Sequence, residues 1–211
     1  MKTWVSPRPA GPGRLLPPAF YRRADVVCIA RDLIGKFLVT CRRGRLTAGM
    51  IVETEAYAGT ADRACHAHRG RRTPRNEVMY APGGVAYVYC CYGLHALLNV
   101  VTHRAGAPYA VLIRAIEPVT GIDLMRRRRG GGIPDRRLTA GPGILTRALD
   151  IGLRHNGVTL AGPEIRLEDR GVRFSLSRIA ARPRIGVEYA GPDARKPWRF
   201  YLRGNPWVSR P

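Results

Sequence analysis

The chain has 211 residues, of which 45% are hydrophobic and 24% are charged, a composition typical of one globular domain with a substantial core. No apolar run approaches the roughly 20 residues that span a bilayer, and no signal peptide is visible. The five cysteines form no CxxC motif and have no ligand spacing with histidines. We therefore expect free thiols without a metal site and no membrane partner, in a protein that is not secreted. It would be cytoplasmic (nucleoid) in a bacterium and nuclear in a eukaryote.

The charge is strongly unbalanced, with 36 lysines and arginines against 15 acidic residues and a net charge of +21. This excess favours a polyanionic partner such as nucleic acid, because each neutralised phosphate releases counterions. An arginine-biased genome is the alternative, since only Lys2, Lys36 and Lys196 are lysines. Bias would explain arginine in place of lysine but not the shortage of acids, so nucleic acid is the favoured partner.

The predicted elements begin after a Pro- and Gly-rich segment. Residues 1–18 lack periodicity and predict a flexible leader before one catalytic domain over 19–211. From Asp25 onwards, apolar residues recur at helical spacing as far as Gly35, which predicts a helix capped by Asp25. The later strands are predicted over 37–40, 46–57, 85–91, 110–116, 165–167, 184–189 and 198–203, and the later helices over 120–129 and 143–151. Together they predict a single α+β domain in which helices flank a curved, mostly antiparallel, open barrel-like sheet.

Two carboxylates interrupt the apolar pattern of the strand over 46–57. Side chains alternate between the faces of a strand, so Glu53 and Glu55 share a face with Tyr57. Burying an unpaired carboxylate is costly. The pair is therefore either a structural one that holds arginines or the source of a catalytic carboxylate beside an aromatic cavity. The pattern does not distinguish between the two acids.

Aromatic and basic residues follow in a long loop and the next strand. The loop over 58–76 holds His66, His68 and several arginines, and its length favours a functional role. Tyr87 and Tyr89 share one face of the strand over 85–91. Tyr92 stands where that strand ends, so its ring could either wedge between bases or cover the mouth of the barrel.

A buried strand over 110–116 carries Arg114 at its centre. Its guanidinium must face a carboxylate, a phosphate or a water-filled pocket, and a salt bridge to Glu53, Glu55 or Glu117 is the structural alternative. The arginine-rich loop over 126–137 is either solvated charge or a contact to phosphates.

Several motifs together resemble the alkyladenine (3-methyladenine) DNA glycosylase family. They run in the family's order from about Asp25 to Ser209, and they are IVETEAY, His66, RRTPRN, YVYCCYG, Asn99, VLIRAIEP and ARKPWRFYLRGNPWVS. The resemblance implies a monomeric, monofunctional enzyme of base-excision repair that needs no cofactor. Such an enzyme flips alkylated or deaminated purines out of double-stranded DNA and hydrolyses the N-glycosidic bond.

By motif, the resemblance assigns the chemistry to two residues. Glu55 matches the general base that activates the attacking water, and Arg114 matches the arginine that helps to hold this water and the phosphate of the target nucleotide. Glu53 is then the structural acid. No lysine lies in the motifs that carry these catalytic and pocket residues, so no Schiff-base strand cleavage is expected.

The same resemblance assigns the base pocket and the contacts to DNA. Tyr57, His66 and Tyr89 match the aromatic sandwich around the flipped base. Asn99 matches a position that crowds the exocyclic amine of guanine, and Tyr92 matches the residue that wedges into the minor groove. The RRTPRN motif supplies the expected contacts to the DNA backbone: Arg71, Thr73 and Arg75. Hypoxanthine and alkylated purines are the expected substrates. The sequence departs from the family in a second histidine, His68, to which the stacking role of His66 could shift.

Two other functions compete with this one. A non-catalytic nucleic-acid-binding protein would explain the charge, but not a buried constellation of acids, an arginine and aromatic rings. A small-molecule hydrolase that uses Glu53 and Glu55 would explain the acids, but not the charge. Salt distinguishes them, because DNA binding weakens steeply as the salt concentration rises.

Overall fold

Nine strands form one sheet in the computed structural model, which describes residues 4–7 and 13–211. They are β1 (Arg14–Leu15), β2 (Phe37–Arg42), β3 (Arg45–Ala58), β4 (Ala86–Cys91), β5 (His95–Thr102), β6 (Tyr109–Thr120), β7 (Ile165–Asp169), β8 (Ile179–Arg182) and β9 (Arg199–Leu202). The order is β1-β7-β2-β3-β6-β5-β4, and β9 pairs with both β3 and β8. All strand pairs are antiparallel and the sheet does not close, which confirms the predicted α+β fold with an open sheet.

In the part of the chain that the structure describes, four α-helices accompany the sheet: α1 (Pro18–Tyr21), α2 (Val26–Asp32), α3 (Ile122–Arg129) and α4 (Pro142–Leu149). Helix α2 begins as predicted, because the side chain of Asp25 accepts hydrogen bonds from the backbone N–H groups of Val27 and Cys28. Ile29 and Leu33 then pack against the core strands of the sheet. No described helix is long and apolar enough to cross a membrane.

The long strand β3 is irregular where it carries the two acids. Its register against β6 shifts on either side of Glu53: Glu53 pairs with Ala115, but Thr54 pairs with Ile113. Arg114 is therefore the extra residue on β6 at this point. Bulges of this kind redirect side chains, and this one brings the Arg114 guanidinium alongside the acids of β3.

The predicted strand over 184–189 is wrong. This segment is an irregular loop that continues into a 3-10 helix at Glu188–Arg195. Its backbone does not complete a ladder because the N–H of Ile185 donates to the Glu55 carboxylate instead, and the side chain of Arg184 is buried against Asp62.

The predicted leader lies partly outside the described residues, which omit 1–3 and 8–12. In the described part, Arg14 and Leu15 pair with β7. The indole N–H of Trp4 donates to the Glu117 carboxylate at 3.2 Å. The division of the chain at residue 18 stays a prediction.

Candidate active site

A cavity of about 410 Å³ lies at the end of β3 that carries Glu55 and Tyr57. Its size suits one small organic molecule. It lies among the ends of β3 to β6, the loop after β3 and the loop after β8. Most of the residues predicted for the site line it, namely Tyr57, His66, Arg75, Tyr89, Tyr92, Asn99 and Arg114.

Two carboxylates and two guanidinium groups form a buried cluster behind this cavity. Arg114 Nε donates to Glu53 Oε1 at 3.2 Å, and Arg114 Nη1 lies 3.3 Å from Glu55 Oε1. Arg199 Nη1 donates to the same Glu53 oxygen at 2.9 Å. All four side chains are buried, and their formal charges cancel. A buried ion pair needs such mutual compensation, so the acids do hold arginines, as one of the two sequence-based alternatives proposed.

The two acids nevertheless have different surroundings. The second oxygen of Glu53 accepts the backbone N–H of Ser209 at 2.8 Å, away from the cavity. The oxygens of Glu55 accept the Ile185 N–H at 2.8 Å and the Tyr57 hydroxyl at 2.9 Å. Tyr57 and Ile185 both line the cavity, whereas Ser209 does not. Glu55 itself does not line the cavity, but it is the acid that is hydrogen-bonded to residues that do.

The environment of Glu55 makes its carboxylate a stronger base than an exposed one. Burial raises the pKa of the Glu55 carboxyl, and the Arg114 guanidinium, the Ile185 N–H and the Tyr57 hydroxyl only partly oppose this shift. A more basic carboxylate accepts a proton from water more readily.

Three aromatic side chains make one wall of the cavity. The rings of His66 and Tyr89 meet edge to face, with their centroids 4.6 Å apart. His66 Nδ1 is hydrogen-bonded to the Tyr87 hydroxyl at 2.9 Å. Such close contact leaves no space for another ring between them. A planar ligand would therefore lie on the open side of this wall, toward Tyr57.

Burial keeps His66 neutral. Burial, together with the charges of Arg75 and Arg71, lowers the pKa of the His66 imidazole to about 4. Tyr87 was not among the predicted site residues, although its position two residues before Tyr89 on the same face of the strand was the signal for it.

Tyr57 is fixed from behind by an arginine. Arg184 Cζ lies 4.9 Å from the centroid of the Tyr57 ring. The same guanidinium donates to the Asp62 carboxylate at 2.8 Å and to the carbonyl of Ala56 at 2.9 Å. This buried pair joins the loop after β3 to the loop after β8. Sequence reasoning missed both Arg184 and Ile185, because the segment was interpreted as a strand.

Asn99 lies on β5 and is 4% exposed. Its Nδ2 donates to the backbone carbonyl of Tyr87 on β4 at 3.2 Å, which fixes the amide at the wall of the cavity.

Tyr92 occupies the tip of the hairpin between β4 and β5, as predicted. It is 91% exposed, and its φ of +51° lies in the left-handed region. Gly93 follows with a φ of +69°, and the Leu94 N–H closes the turn on the Cys91 carbonyl. A left-handed conformation costs a residue with a side chain about 1–2 kcal/mol. The hairpin therefore holds an aromatic ring in solvent at a cost in stability.

The RRTPRN loop is braced by Asn76. The side-chain oxygen of Asn76 accepts the N–H and the hydroxyl of Thr73, and its amide donates to the carbonyls of Arg71 and His66. Arg71 is exposed, and neither Arg71 nor Thr73 lines the cavity.

Arg75 reaches the cavity from this loop. Its guanidinium lies 5.1 Å from the centroid of the Tyr89 ring and donates to the carbonyl of Cys90. His68 lies outside the cavity, where its Nδ1 is hydrogen-bonded to the Thr60 carbonyl. The histidine at the cavity is thus His66.

Within residues 4–7 and 13–211, no three His, Cys, Asp or Glu side chains are grouped so that they could hold a metal ion.

Comparison with known proteins gives the family. The model of the methylpurine-DNA glycosylase family matches residues 19–206. The chain is 48% identical over 196 residues to a protein of Carboxydothermus hydrogenoformans named "Putative 3-methyladenine DNA glycosylase", covering 93% of this chain and 99% of that one. Proteins with the same name are 46% identical in Chlamydia felis (89% of this chain, 96% of the relative) and 42% identical in Bacillus cereus (92% and 98%). The chain therefore belongs to the methylpurine-DNA glycosylase family, the base-excision repair enzymes that hydrolyse N-glycosyl bonds in DNA.

Proposed function

We propose that the protein flips damaged purines out of duplex DNA into the aromatic cavity, where a water activated by Glu55 hydrolyses the N-glycosidic bond. The observation that carries this proposal is the position of Glu55 behind the cavity wall, hydrogen-bonded to Tyr57 and Ile185 and paired with Arg114. A basic, buried carboxylate beside a cavity of this size suits hydrolysis of one extruded nucleotide.

The reaction breaks one bond and forms one. The water oxygen attacks C1′ of the sugar while its proton passes to Glu55, and the C1′–N bond breaks with its electron pair leaving on the base. The Glu55 carboxylate also stabilises the positive charge that develops on the sugar. A cationic alkylated purine leaves as a neutral molecule, whereas hypoxanthine needs a proton to do so.

Arg114 would orient Glu55 and the water. It is only 6% exposed, and both acids already engage its guanidinium. These contacts support a role in holding the carboxylate more directly than a contact to the target phosphate.

The cavity suits a cationic or electron-poor purine. The flipped base would lie between Tyr57 and the wall made by His66 and Tyr89. The faces of aromatic rings attract positive charge, and His66 is neutral at neutral pH because its pKa is lowered, so no ring of this sandwich repels a cationic base. Asn99 at the same cavity would exclude normal guanine by crowding its exocyclic amine.

The contacts to DNA would come from the side of the Tyr92 hairpin. The exposed ring of Tyr92 would fill the space that the flipped nucleotide leaves. Its contacts there would offset the unstacking cost of about a few kcal/mol. Arg71, Thr73 and Arg75 would contact the backbone beside it, because their loop adjoins the same cavity wall.

The protein would not cleave the DNA strand. Schiff-base chemistry needs a free amine at C1′. Of the two lysines within residues 4–7 and 13–211, Lys36 is ion-paired with Asp169 and Lys196 with Asp193, and neither lines the cavity. Lys2 lies outside the described residues. Borohydride treatment during the reaction should trap no covalent adduct, and a trapped adduct would show that an amine, such as the N-terminal one, takes part.

The product distinguishes this function from that of a basic binding protein. Incubation with duplexes that contain one 7-methylguanine or one hypoxanthine should release the free base, detected by mass spectrometry, and leave alkali-labile sites. A protein that binds these duplexes but releases no base from either would be a non-catalytic DNA-binding protein on this scaffold.

A further inference from the structure

A second, basic cavity lies at the opposite end of β3 from Glu55. It has a volume of about 470 Å³ and is lined chiefly by arginines: Arg42, Arg43, Arg45 and Arg128. Glu55 lies ten positions after Arg45 on β3, which is about 33 Å along the strand at about 3.3 Å per residue. This cavity is therefore separate from the candidate active site.

One carboxylate, that of Asp150, is ion-paired with three of the arginines around this cavity. Asp150 lies 2.7 Å from Arg42 and 3.1 Å from Arg154, and 3.9 Å from Arg128. Its charge is thus already shared three ways.

Arg43 and Arg45 form no ion pair within the described parts of the chain. Both are exposed: Arg43 lies in the turn that joins β2 to β3, with a φ of +47°, and Arg45 is the first residue of β3. Five guanidinium groups (with Arg42, Arg128 and Arg154) minus the one carboxylate of Asp150 leave a local charge of +4.

Arg128 lies close enough to the other arginines for their positive charge to act on its guanidinium. Its guanidinium is held by the carbonyl of Ala148 at 3.0 Å, so it cannot turn away into solvent freely. Burial lowers the pKa of Arg128, Asp150 raises it, and the charges of Arg42 and Arg154 lower it further. Helix C-termini do favour arginine, which accounts for Arg128 at the end of α3, but not for the arginines at the turn between β2 and β3.

We propose that this arginine cluster binds backbone phosphates of a second DNA segment while the active site is on the first. Guanidinium groups pair with phosphate oxygens through two parallel hydrogen bonds, and each phosphate contact releases counterions. A second contact of this kind would let the enzyme pass between DNA segments without full dissociation. The inference rests on DNA as the substrate and concerns a surface that the proposed chemistry does not use.

A bridging experiment tests this directly. An undamaged biotinylated duplex is immobilised and saturated with protein, and the capture of a second, fluorescent undamaged duplex is measured as the salt concentration is raised. The test variant is Arg43→Gln/Arg45→Gln. The matched control is Arg22→Gln/Arg203→Gln, because both of these arginines are exposed and have no ion pair within the described residues. Thermal melting verifies that all three proteins are folded.

The wild type and the control should capture the second duplex, and the test variant should capture about tenfold less. The log–log salt slope of capture should fall by about 0.9 for each arginine that contacts a phosphate. Single-turnover excision from a hypoxanthine duplex should stay within about twofold of wild type in all three proteins.

Three results would overturn the inference. They are equal capture by the test variant and the wild type, no capture by the wild type, and a parallel loss of excision in the test variant, which would place the cluster in the same DNA contact as the active site. Absence of excision in the wild type would instead count against the proposed function, and the capture result would still decide the role of the cluster.

Discussion

The hydroxyl of Tyr57 donates a hydrogen bond to Glu55 Oε2 at 2.9 Å, which ties a ring that lines the cavity to the carboxylate behind it. Placement of the base and the basicity of the catalytic group are thereby linked through one side chain. The bond is one of the contacts that lower the Glu55 pKa against the effect of burial.

Tyr57→Phe should separate these two roles. The ring remains, so binding of damaged duplex should change little, but loss of the hydroxyl should raise the Glu55 pKa. Because Glu55 must be deprotonated to act as a base, the excision rate rises as the pH passes through this pKa. The rising limb of a single-turnover pH–rate profile should therefore move to higher pH in the variant. At the acidic end, the rate should fall about tenfold for each pH unit that the limb moves. An unmoved limb would show that the bond does not control the base.

The neutrality of His66 should appear in the pH dependence of stability. The pKa of its imidazole is about 4 in the folded protein and about 6.5 when unfolded. Between these values the unfolded chain binds a proton that the folded chain excludes, so the free energy of unfolding falls as the pH falls, by at most about 3 kcal/mol. His66→Phe should reduce the drop in melting temperature between pH 7 and pH 5. His68→Phe is the control and should behave as wild type does. An unchanged drop in His66→Phe would refute the assignment.

Asn99→Ala should relax selectivity for the base. The amide is fixed at the cavity wall by its bond to the Tyr87 carbonyl, and its removal opens space where the exocyclic amine of guanine would lie. Excision of undamaged guanine should rise at least about tenfold, while excision of hypoxanthine stays close to that of wild type. Unchanged selectivity with intact hypoxanthine excision would rule out this role.

Tyr92→Gly should stabilise the protein but weaken its capture of damaged DNA. Glycine adopts the positive φ of this turn without strain, so the free energy of unfolding should rise by about 1 kcal/mol in urea denaturation. Capture of duplexes that contain a damaged base should weaken, and binding to undamaged duplex should stay nearly the same, because the backbone contacts are retained. Equal loss of both kinds of binding would make Tyr92 a general contact and not a wedge.

Much of the fold was predictable because its signals are local. Asp25 caps α2 and Pro142 opens α4 through contacts within a few residues of the chain. The bulge at Glu53 was not predictable, because it exists only in the pairing of β3 with β6, two strands far apart in sequence.

The candidate site likewise has features that the local sequence predicts and features that it does not. The face shared by Glu53, Glu55 and Tyr57 followed from strand alternation, but the different surroundings of the two acids depend on distant partners. Ile185 donates to Glu55 across 130 positions, and Ser209 donates to Glu53 across 156. Contacts of this kind leave no periodic pattern, so only the resemblance to a family distinguished the acids beforehand.

Substitution of each acid in turn tests most directly whether Glu55, and not Glu53, activates the water. Single-turnover excision from a duplex with one hypoxanthine or one methylated purine should be measured for the wild type, Glu55→Gln and Glu53→Gln, alongside their binding and melting temperatures. We expect Glu55→Gln to bind the damaged duplex as wild type does but to excise at least about 100-fold more slowly. Glu53→Gln should have a lower melting temperature than the wild type, because it removes a buried structural carboxylate. The molecules that remain folded should still excise the base. Excision at the wild-type rate by Glu55→Gln would contradict the proposed mechanism and transfer the role to another group.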